Sequence, residues 1–172
     1  FQSNQGYESG GALYLALTQE PLIGNATFFD NAAPAGACLF ADSISQVSIA
    51  GVTMTGNVPG TGGSLETAGS AVNVVNSILW NNVQEISTQA GGTVSVAWSI
   101  APGTLTGDNL ISEDPLFVRG PDELLVTDPN LALQAGSSAI DSGNNSLIPD
   151  GLSGTDAAGM GCLLYTSDAA DD

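Results

Sequence analysis

Short stretches of alternating apolar and polar residues recur through roughly the first hundred positions of the chain. In the stretch from residue 47 to residue 53, four residues are predicted to share one face: Val47, Ile49, Gly51 and Thr53. Strict alternation is typical of half-buried β-strands, because successive side chains of a strand point to opposite faces. No segment sustains the i, i+3, i+4, i+7 apolar spacing of an amphipathic helix. The pattern therefore predicts an all-β protein.

Whole motifs also repeat along the chain. The segments IGNATFFDN (23–31), IAGVTMTGN (49–57) and VVNSILWNN (74–82) align, and their last residues recur at a nearly constant interval. A degenerate fourth copy, VSVAWSIAPG (94–103), follows at a shorter spacing. Recurrence at such a period is the sequence signature of a repeat architecture.

A second motif repeats between the copies of the first. GALYL (11–15) aligns with GACLF (36–40), one repeat further along the chain, and more weakly with GSLET (63–67). This alignment predicts that two sets of residues lie on opposite faces. One set is Ala12, Tyr14, Ala37 and Leu39, and the other is Leu13, Leu15, Cys38 and Phe40.

Repeated two-strand units without a helix are typical of the coils of a parallel β-helix. One coil cannot bury its own inward side chains, so a shared interior forms only when coils stack. We predict a right-handed parallel β-helix of about four coils over residues 1–107. Residues 108–160 are predicted to form a C-terminal closing segment that covers the last coil and hides its unpaired edge. A β-sandwich of short strands is the main alternative, and leucine-rich repeats would need an L-x-x-L-x-L pattern that is missing.

The repeated asparagines are interpreted as structural. Asn31, Asn57 and Asn82 fall at a fixed turn, where asparagine tolerates left-handed backbone geometry and its amide can bond the backbone. Stacked copies can also bond one another along the axis. Asn25 and Asn76, which share their offset with Gly51, are assigned to the same structural ladder. Ligand binding by these residues is the alternative that we do not favour.

The charge balance excludes some partners. The chain has one cation, Arg119, no Lys or His, and 18 acidic residues, for a net charge of −17. Binding to nucleic acid or to an anionic membrane surface needs several Lys or Arg to neutralise phosphates, so neither is expected. A hydrophobic content of 42% is too high for a disordered acidic tail. No run of about 18 apolar residues predicts a transmembrane span.

Both ends of the sequence call for an interpretation. Phe1 stands in mid-pattern without an initiator Met, so we expect an N-terminal truncation, and the missing signal peptide carries no information. The end of the chain, CLLYTSDAADD (162–172), matches the translation of a transposase-type sequencing adapter beginning TGT CTC TTA TAC ACA TCT. We therefore predict that residues 161–172 are not native and leave them out of the fold reasoning.

Removing that tail changes two counts. Three aspartates leave, so 18 acids become 15 and the net charge of −17 becomes −14. Cys162 leaves as well, so no disulfide with Cys38 is proposed. A lone cysteine in an apolar stretch is more often a small core residue than a reactive thiol.

The residue inventory argues against an active site. A Ser–His–Asp triad is impossible without His, zinc is not expected, and GTGG (60–63) lacks the Lys and the helix of a phosphate-binding loop. Polysaccharide lyases of this fold use Lys or Arg, and the first 118 residues contain neither. Hydrolysis needs two carboxylates about 5–10 Å apart. The available carboxylates are Asp30, Asp42, Glu66, Glu113–Asp114 and Asp122–Glu123.

Two binding chemistries are weak alternatives. Calcium could be held by acidic oxygen ligands, for which the candidates are Asp108, Glu113 and Asp114, with Asp122 and Glu123. The calcium-loop motifs are absent, so a solvated acidic face is the favoured interpretation, and no cofactor is expected. Trp80 and Trp98 could form a sugar-stacking pair, although the favoured interpretation is that one is a core residue and the other covers a coil face.

The order of several motifs resembles a known family. These motifs are GGALYL (10–15), NATFFDN (25–31), NSILWNN (76–82), DPLF (114–117) and LQAGSSAIDSGN (133–144). Together they resemble the bacterial right-handed parallel β-helix surface proteins with a variable C-terminal anchor, called choice-of-anchor Q, which are similar in pattern to polymorphic outer-membrane repeats.

The resemblance implies a secreted or cell-surface protein and supplies no catalytic motif. In this chain Ser138 stands where the family commonly has Pro, and we expect the sequence to stop before any anchor. We expect a non-enzymatic, adhesin-like module that contacts an extracellular glycan, matrix or another cell-surface protein. The alternative is a fragment of a carbohydrate-active β-helix enzyme, a polysaccharide lyase or glycoside hydrolase, whose catalytic coils are missing.

Overall fold

The structure, a computed structural model, describes residues 1–16, 19–44, 46–120, 129–150 and 152. These residues hold thirteen strands and a single 3₁₀ turn, Asn145–Leu147. The strands are β1 Leu13–Ala16, β2 Leu22–Phe29, β3 Ala32–Ala33, β4 Leu39–Asp42, β5 Gln46–Thr55, β6 Val58–Pro59, β7 Leu65–Ala68, β8 Ala71–Val75, β9 Ile78–Trp80, β10 Ile86–Gln89, β11 Thr93–Ala97, β12 Phe117–Arg119 and β13 Asn130–Leu133.

Two parallel sheets run along the molecule. The first sheet has the order β1-β4-β7-β10, and the second sheet has the order β11-β8-β5-β2 with β9 also beside β5. All neighbours in these sheets are parallel, and β3 and β6 form a short third pair. Four levels of strand enclose about three complete turns of a β-solenoid. The predicted all-β parallel solenoid is confirmed, and the antiparallel sandwich is not the fold.

The register of the second sheet follows the sequence repeat. Ile23 lies beside Ile49, and Ile49 lies beside Val74, as the alignment of the repeated motifs predicts. In the shortened fourth copy, Val96 pairs with Val74, so this level contains fewer residues than the two before it. Like residues therefore stand above like residues from one level to the next.

The first sheet corrects the predicted alignment of GALYL with GACLF. Leu13 pairs with Leu39 rather than with Cys38, so the true offset is one position longer than the letters suggest. A slip of one residue moves every side chain to the opposite face of a strand. Tyr14 consequently shares its face with Phe40, while Leu13 and Leu39 belong to the interior.

A left-handed residue interrupts the second strand of each coil. Asn25, Gly51 and Asn76 have φ values of 50°, 63° and 52°. The bend at Gly51 shifts the alternation, so that Val52 and Met54 continue the interior face begun by Val47 and Ile49. The prediction that Thr53 shares this face is therefore wrong, because it assumed an unbroken strand.

The interior is a continuous apolar column. Its buried members are Phe28, Cys38, Leu39, Ala41, Ile44, Val47, Ile49, Val52, Met54, Leu65, Val72, Val74, Leu79 and Val96. Most of them come from paired positions of successive levels. Burial of each Leu- or Ile-sized side chain contributes roughly 1.5–3 kcal/mol, but only when the adjacent level is present to exclude water.

A second apolar cluster lies outside the second sheet. Leu79 belongs to the interior, so its neighbour Ile78 points outward, where it packs with Ile100, Phe117, Leu131 and Ala139. β12 and β13, which pair antiparallel, supply Phe117 and Leu131. This outer cluster attaches the C-terminal segment to the side of the solenoid.

The C-terminal segment extends back along that side. Asn144 N–H donates to Oδ1 of Asn76 at 2.8 Å, and Asn76 Nδ2–H donates to the Asn144 carbonyl at 3.0 Å. Farther on, Leu152 lies directly against Gly24 in the first full coil. The segment was predicted to cover the last coil, but its described part lies mainly on the outer flank. Within the described residues, short bridges from Asp108 to Ala97 and from Ile111 to Ile100 continue the stack.

Replacing Phe117 tests the outer cluster. Phe117→Ala removes a side chain that is 8% exposed, and loss of a buried phenylalanine costs about 3–5 kcal/mol when the site cannot collapse. Val118→Ala is the matched control, because Val118 is the next residue and is 49% exposed. Chemical unfolding should show a much larger loss for Phe117→Ala. Equal losses for the two variants would mean that the segment is not held by this cluster.

Candidate functional site

The repeated asparagines form a hydrogen-bonded ladder along one corner of the solenoid. Asn31 Nδ2–H donates to Oδ1 of Asn57 at 2.9 Å, and Asn57 Nδ2–H donates to Oδ1 of Asn82 at 2.8 Å. The backbone N–H groups of Asn31 and Asn57 donate to the same two oxygens. Asn4 extends the ladder by one level through its bond to Oδ1 of Asn31 at 2.9 Å. Each amide therefore links two levels.

The predicted bonds of the ladder asparagines to one another and to the backbone are observed, but the predicted left-handed geometry is not. The left-handed residues are the ones just before the ladder, Asp30, Gly56 and Asn81, with φ values of 53°, 64° and 55°. Asn57 uses its second amide hydrogen on the backbone, where it reaches the carbonyls of Phe28 and Thr55 at 3.0 Å. The ladder satisfies buried polar groups that would otherwise cost about 1–3 kcal/mol each.

The other two asparagines assigned to the ladder lie elsewhere. Asn25 is exposed on β2, and Asn76 is buried and bonds Asn144 of the C-terminal segment. Both occupy left-handed positions. Their shared spacing with Gly51 therefore reflects a backbone bend and not a side-chain ladder.

Glu85 is a ladder residue that sequence reasoning missed. Its Oε1 accepts the Asn82 N–H at 3.1 Å, and its Oε2 accepts the Asn82 side-chain amide. The signal was present in NNVQE (81–85), where an acid follows shortly after the last ladder asparagine. Glu85 occupies the position of the next acceptor, where the repeat has no asparagine.

The calcium candidates do not assemble into a site. Asp108, Glu113 and Asp114 are all exposed, and Oδ1 of Asp114 accepts the N–H of Leu116 at 2.8 Å. In the described part of the chain, no three His, Cys, Asp or Glu residues lie together in a way that could hold a metal ion. Asp122 and Glu123 lie outside the described residues.

Two of the isolated carboxylates lie on the outer side of the first sheet. Phe40 pairs with Glu66 and Asp42 pairs with Ala68, so Asp42 and Glu66 are diagonal neighbours on one face. Glu66 Oε2 accepts the N–H groups of Gly36 and Gly63 at 3.2 and 3.1 Å. Its Oε1 accepts the amide of Gln89 at 3.0 Å. This carboxylate is therefore tied to the backbone of two loops.

An aromatic face lies beside these carboxylates; it consists of Tyr14, Phe40 and Asp42. The two rings stack with centroids 5.6 Å apart and an interplanar angle of 1°. The Tyr14 hydroxyl donates to Oδ2 of Asp42 at 2.8 Å, and Tyr14 is 50% exposed. Sequence reasoning missed this pair because the alignment of GALYL with GACLF by letters put Tyr14 beside Leu39.

The hydrogen bond between Tyr14 and Asp42 shifts the pKa values of the two groups in opposite directions. The bond to Asp42 raises the pKa of the Tyr14 phenol. The bonds from Tyr14 and Ser43 lower the pKa of the Asp42 carboxyl. Near neutral pH the face therefore presents a neutral phenol fixed to an ionised carboxylate.

The tryptophans do not form the sugar-stacking pair considered above. Trp80 ends β9 and packs against the outer cluster. Trp98 follows Ala97, which pairs with Val75, so Trp98 stands over Asn76, well before Trp80 in the coil. At about 3.3 Å per residue this separates the two positions too far for ring contact.

Cys38 is fully buried in the interior. Burial raises the pKa of its thiol well above the ordinary value, and the Glu85 carboxylate acts in the same direction. A buried neutral thiol is unreactive. The structure therefore supports a packing role for Cys38. Cys162 lies outside the described residues, as does the whole of 161–172.

Comparison with known protein families, with curated proteins and with solved structures found no match to this chain. The resemblance to choice-of-anchor Q proteins therefore rests on the motifs alone. In the part of the chain that the structure describes, no helix is long and apolar enough to cross a membrane.

Truncating a ladder asparagine should destabilise the protein strongly. Asn57→Ala leaves the donors of Asn31 and the acceptor of Asn82 without their partner, and we expect a loss of about 3 kcal/mol or more. The control is Asn73→Ala, because Asn73 is exposed on β8. Denaturant unfolding measures both variants. A loss for Asn57→Ala no larger than that for Asn73→Ala would contradict the ladder's role.

Proposed function

We propose that this chain is a non-enzymatic, secreted or cell-surface β-helix module that contacts a glycan through its aromatic face. The observation that carries the proposal is the stacked pair of Tyr14 and Phe40, with rings 5.6 Å apart on the outer side of a parallel sheet. A rigid aromatic ring offers a flat apolar surface at little entropic cost. Pyranose rings present a matching face of C–H groups.

Polar groups beside the rings suit the hydroxyls of a sugar. Asp42 is held by Tyr14 and by Ser43, whose hydroxyl donates to Oδ1 at 2.8 Å. An ionised carboxylate accepts hydroxyl protons, and few well-placed polar groups of this kind orient a ligand on an apolar surface. With 18 acids against one cation, the module repels anions. We therefore propose a neutral or cationic glycan rather than a uronate or sulfated one.

The cellular setting is part of the same proposal. Motif order supports kinship with the bacterial choice-of-anchor Q proteins, which implies secretion or display at the cell surface. Right-handed coiling belongs to this proposal too, because parallel crossover connections are right-handed in nearly all known cases. Recovery of the complete gene, with its upstream coils and any anchor, tests the kinship.

Glycan binding should depend on the Tyr14 ring. Tyr14→Ala is expected to weaken binding of neutral oligosaccharides at least about tenfold, because truncation of an aromatic side chain at the centre of a binding surface typically costs about 2 kcal/mol or more. Tyr14→Phe should retain most of the affinity. A glycan array followed by calorimetric titration measures the effect. Tyr7→Ala is the control, because Tyr7 is fully exposed and lies outside the aromatic face.

Results that overturn the proposal are equally concrete. Binding that survives Tyr14→Ala would place the contact elsewhere on the module. Preference for anionic over neutral glycans would contradict the charge argument. No binding to any glycan, matrix or cell surface would reject the proposed function itself.

A second candidate function is hydrolysis, which the common face of Asp42 and Glu66 favours. With strands about 4.8 Å apart and a rise of about 3.3 Å per residue, the backbone positions of these diagonal neighbours lie roughly 8 Å apart, within the range of carboxylate pairs in glycosidases. Against it, the bonds to Gly36, Gly63 and Gln89 engage both oxygens of Glu66. We expect no turnover in reducing-sugar and unsaturated-product assays. Turnover that Asp42→Asn abolishes would replace the binding proposal by the enzymatic one.

A further inference from the structure

The asparagine ladder has a direction. At every level, Oδ1 accepts from the level before it, and the amide donates to the level after it. The last amide of such a chain needs an acceptor beyond the final asparagine. A carboxyl group supplies acceptor oxygens in both of its protonation states.

Glu85 is that group, and it lies where the third level passes into the fourth. It directly precedes β10, and both of its oxygens accept from Asn82. Its carbonyl accepts the N–H of Leu65 at 2.9 Å, while the Gln84 carbonyl accepts the N–H of Ser64 at 2.8 Å. The residue therefore joins the ladder to the edge of the first sheet.

Among the described residues, burial and the hydrogen bonds of Asn82 are the main influences on the carboxylate, and the N-terminal ammonium acts on the neighbouring Cys38. Leu39, Leu65 and Ile86 are paired, so Cys38, Ser64 and Glu85 precede them in one column. The carboxylate of Glu85 raises the pKa of the Cys38 thiol, while Glu85 itself responds to its own burial and to the hydrogen bonds of Asn82. The Ser64 hydroxyl is buried without a partner. The single cation of the chain, Arg119, is exposed on β12.

We propose that Glu85 makes the fourth level of the solenoid pH-responsive, so that β10 is held firmly in mildly acidic surroundings and loosens toward neutral pH. Only 8% of Glu85 is exposed, so its ionised form loses most of its hydration. The hydrogen bonds from Asn82 offset part of the hydration free energy that the ionised carboxylate loses. The direction of the response follows from the balance between burial and these bonds.

That balance favours the protonated form. Burial raises the pKa of Glu85 from its ordinary value of 4.5 to about 7, although the Asn82 bonds act in the opposite direction. Between these two pH values the folded protein keeps a proton that the unfolded chain releases. The stabilisation is therefore complete below about pH 4.5 and is lost as the pH rises toward 7.

The test is the pH dependence of unfolding in three proteins. For the wild type, the unfolding constant should rise roughly 40-fold between pH 5 and pH 7 through Glu85 alone. The unfolding constant of Glu85→Gln should not show this rise between pH 5 and pH 7, whatever the absolute stability of the variant. Glu8→Gln, at an exposed position, should keep the slope of the wild type. An unchanged slope in Glu85→Gln would overturn the proposal.

Hydrogen exchange of the wild type provides a measurement that does not need the variant to fold. The amides of Ser64 and Leu65, which donate to the fourth level, should lose protection between pH 5 and pH 7 after correction for intrinsic rates. The amide of Leu39, which donates to Ser64 one level below, serves as the internal reference. Equal changes at Leu65 and Leu39 would show that β10 does not open separately, and would refute the device.

Discussion

Parallel stacking in register is the constraint on which the whole molecule depends. An isolated coil exposes both its inward apolar side chains and the polar groups of its backbone, so neither can be satisfied within one level. The next level solves both problems at once, because Ile49 covers Ile23 while the backbones of β2 and β5 pair. Stability is consequently shared between neighbours and is not a property of any single repeat.

At its corners, the solenoid satisfies the hydrogen bonds of buried polar atoms. At one corner, Asn31, Asn57 and Asn82 bond along the axis, so buried amides are satisfied by the same repetition that builds the interior. The last amide of such a ladder needs an acceptor beyond the final asparagine. Glu85 ends the ladder with a carboxylate that is poorly solvated, which couples the most distant level of the first sheet to proton concentration. The ladder thus contributes a titratable group as well as cohesion.

The two outer faces of the molecule differ in what covers them. Outside the second sheet, the C-terminal segment covers apolar side chains such as Ile78 and fixes itself through Asn76 and Asn144. Outside the first sheet, Tyr14 and Phe40 stand stacked, and half of Tyr14 remains exposed. The covered face is part of the fold, whereas on the first sheet the exposed ring is Tyr14, because Phe40 beneath it is buried. This difference is the reason for placing the proposed glycan contact on the first sheet.

How much the sequence predicted depends on how local each feature is. Alternation and the recurrence of Asn31, Asn57 and Asn82 were sufficient for the fold class, because a solenoid repeats its chemistry at the same interval as its geometry. The register of Tyr14 was predicted wrongly by one residue, since GALYL and GACLF match well in letters at an offset that the backbone does not use. The bend at Gly51 was also invisible to a rule that assumes straight strands.

By itself, the sequence determined the all-β class, the period of the coils and three of the ladder asparagines, Asn31, Asn57 and Asn82. All three follow from residues that recur at a regular interval along the chain. Only the tertiary structure decided that Phe40 lies beside Tyr14, that Glu85 receives the last ladder amide, and that Asn144 returns to Asn76. These contacts join positions whose spacing is not repeated, so their partners are selected by the packing of levels and not by any pattern within a level.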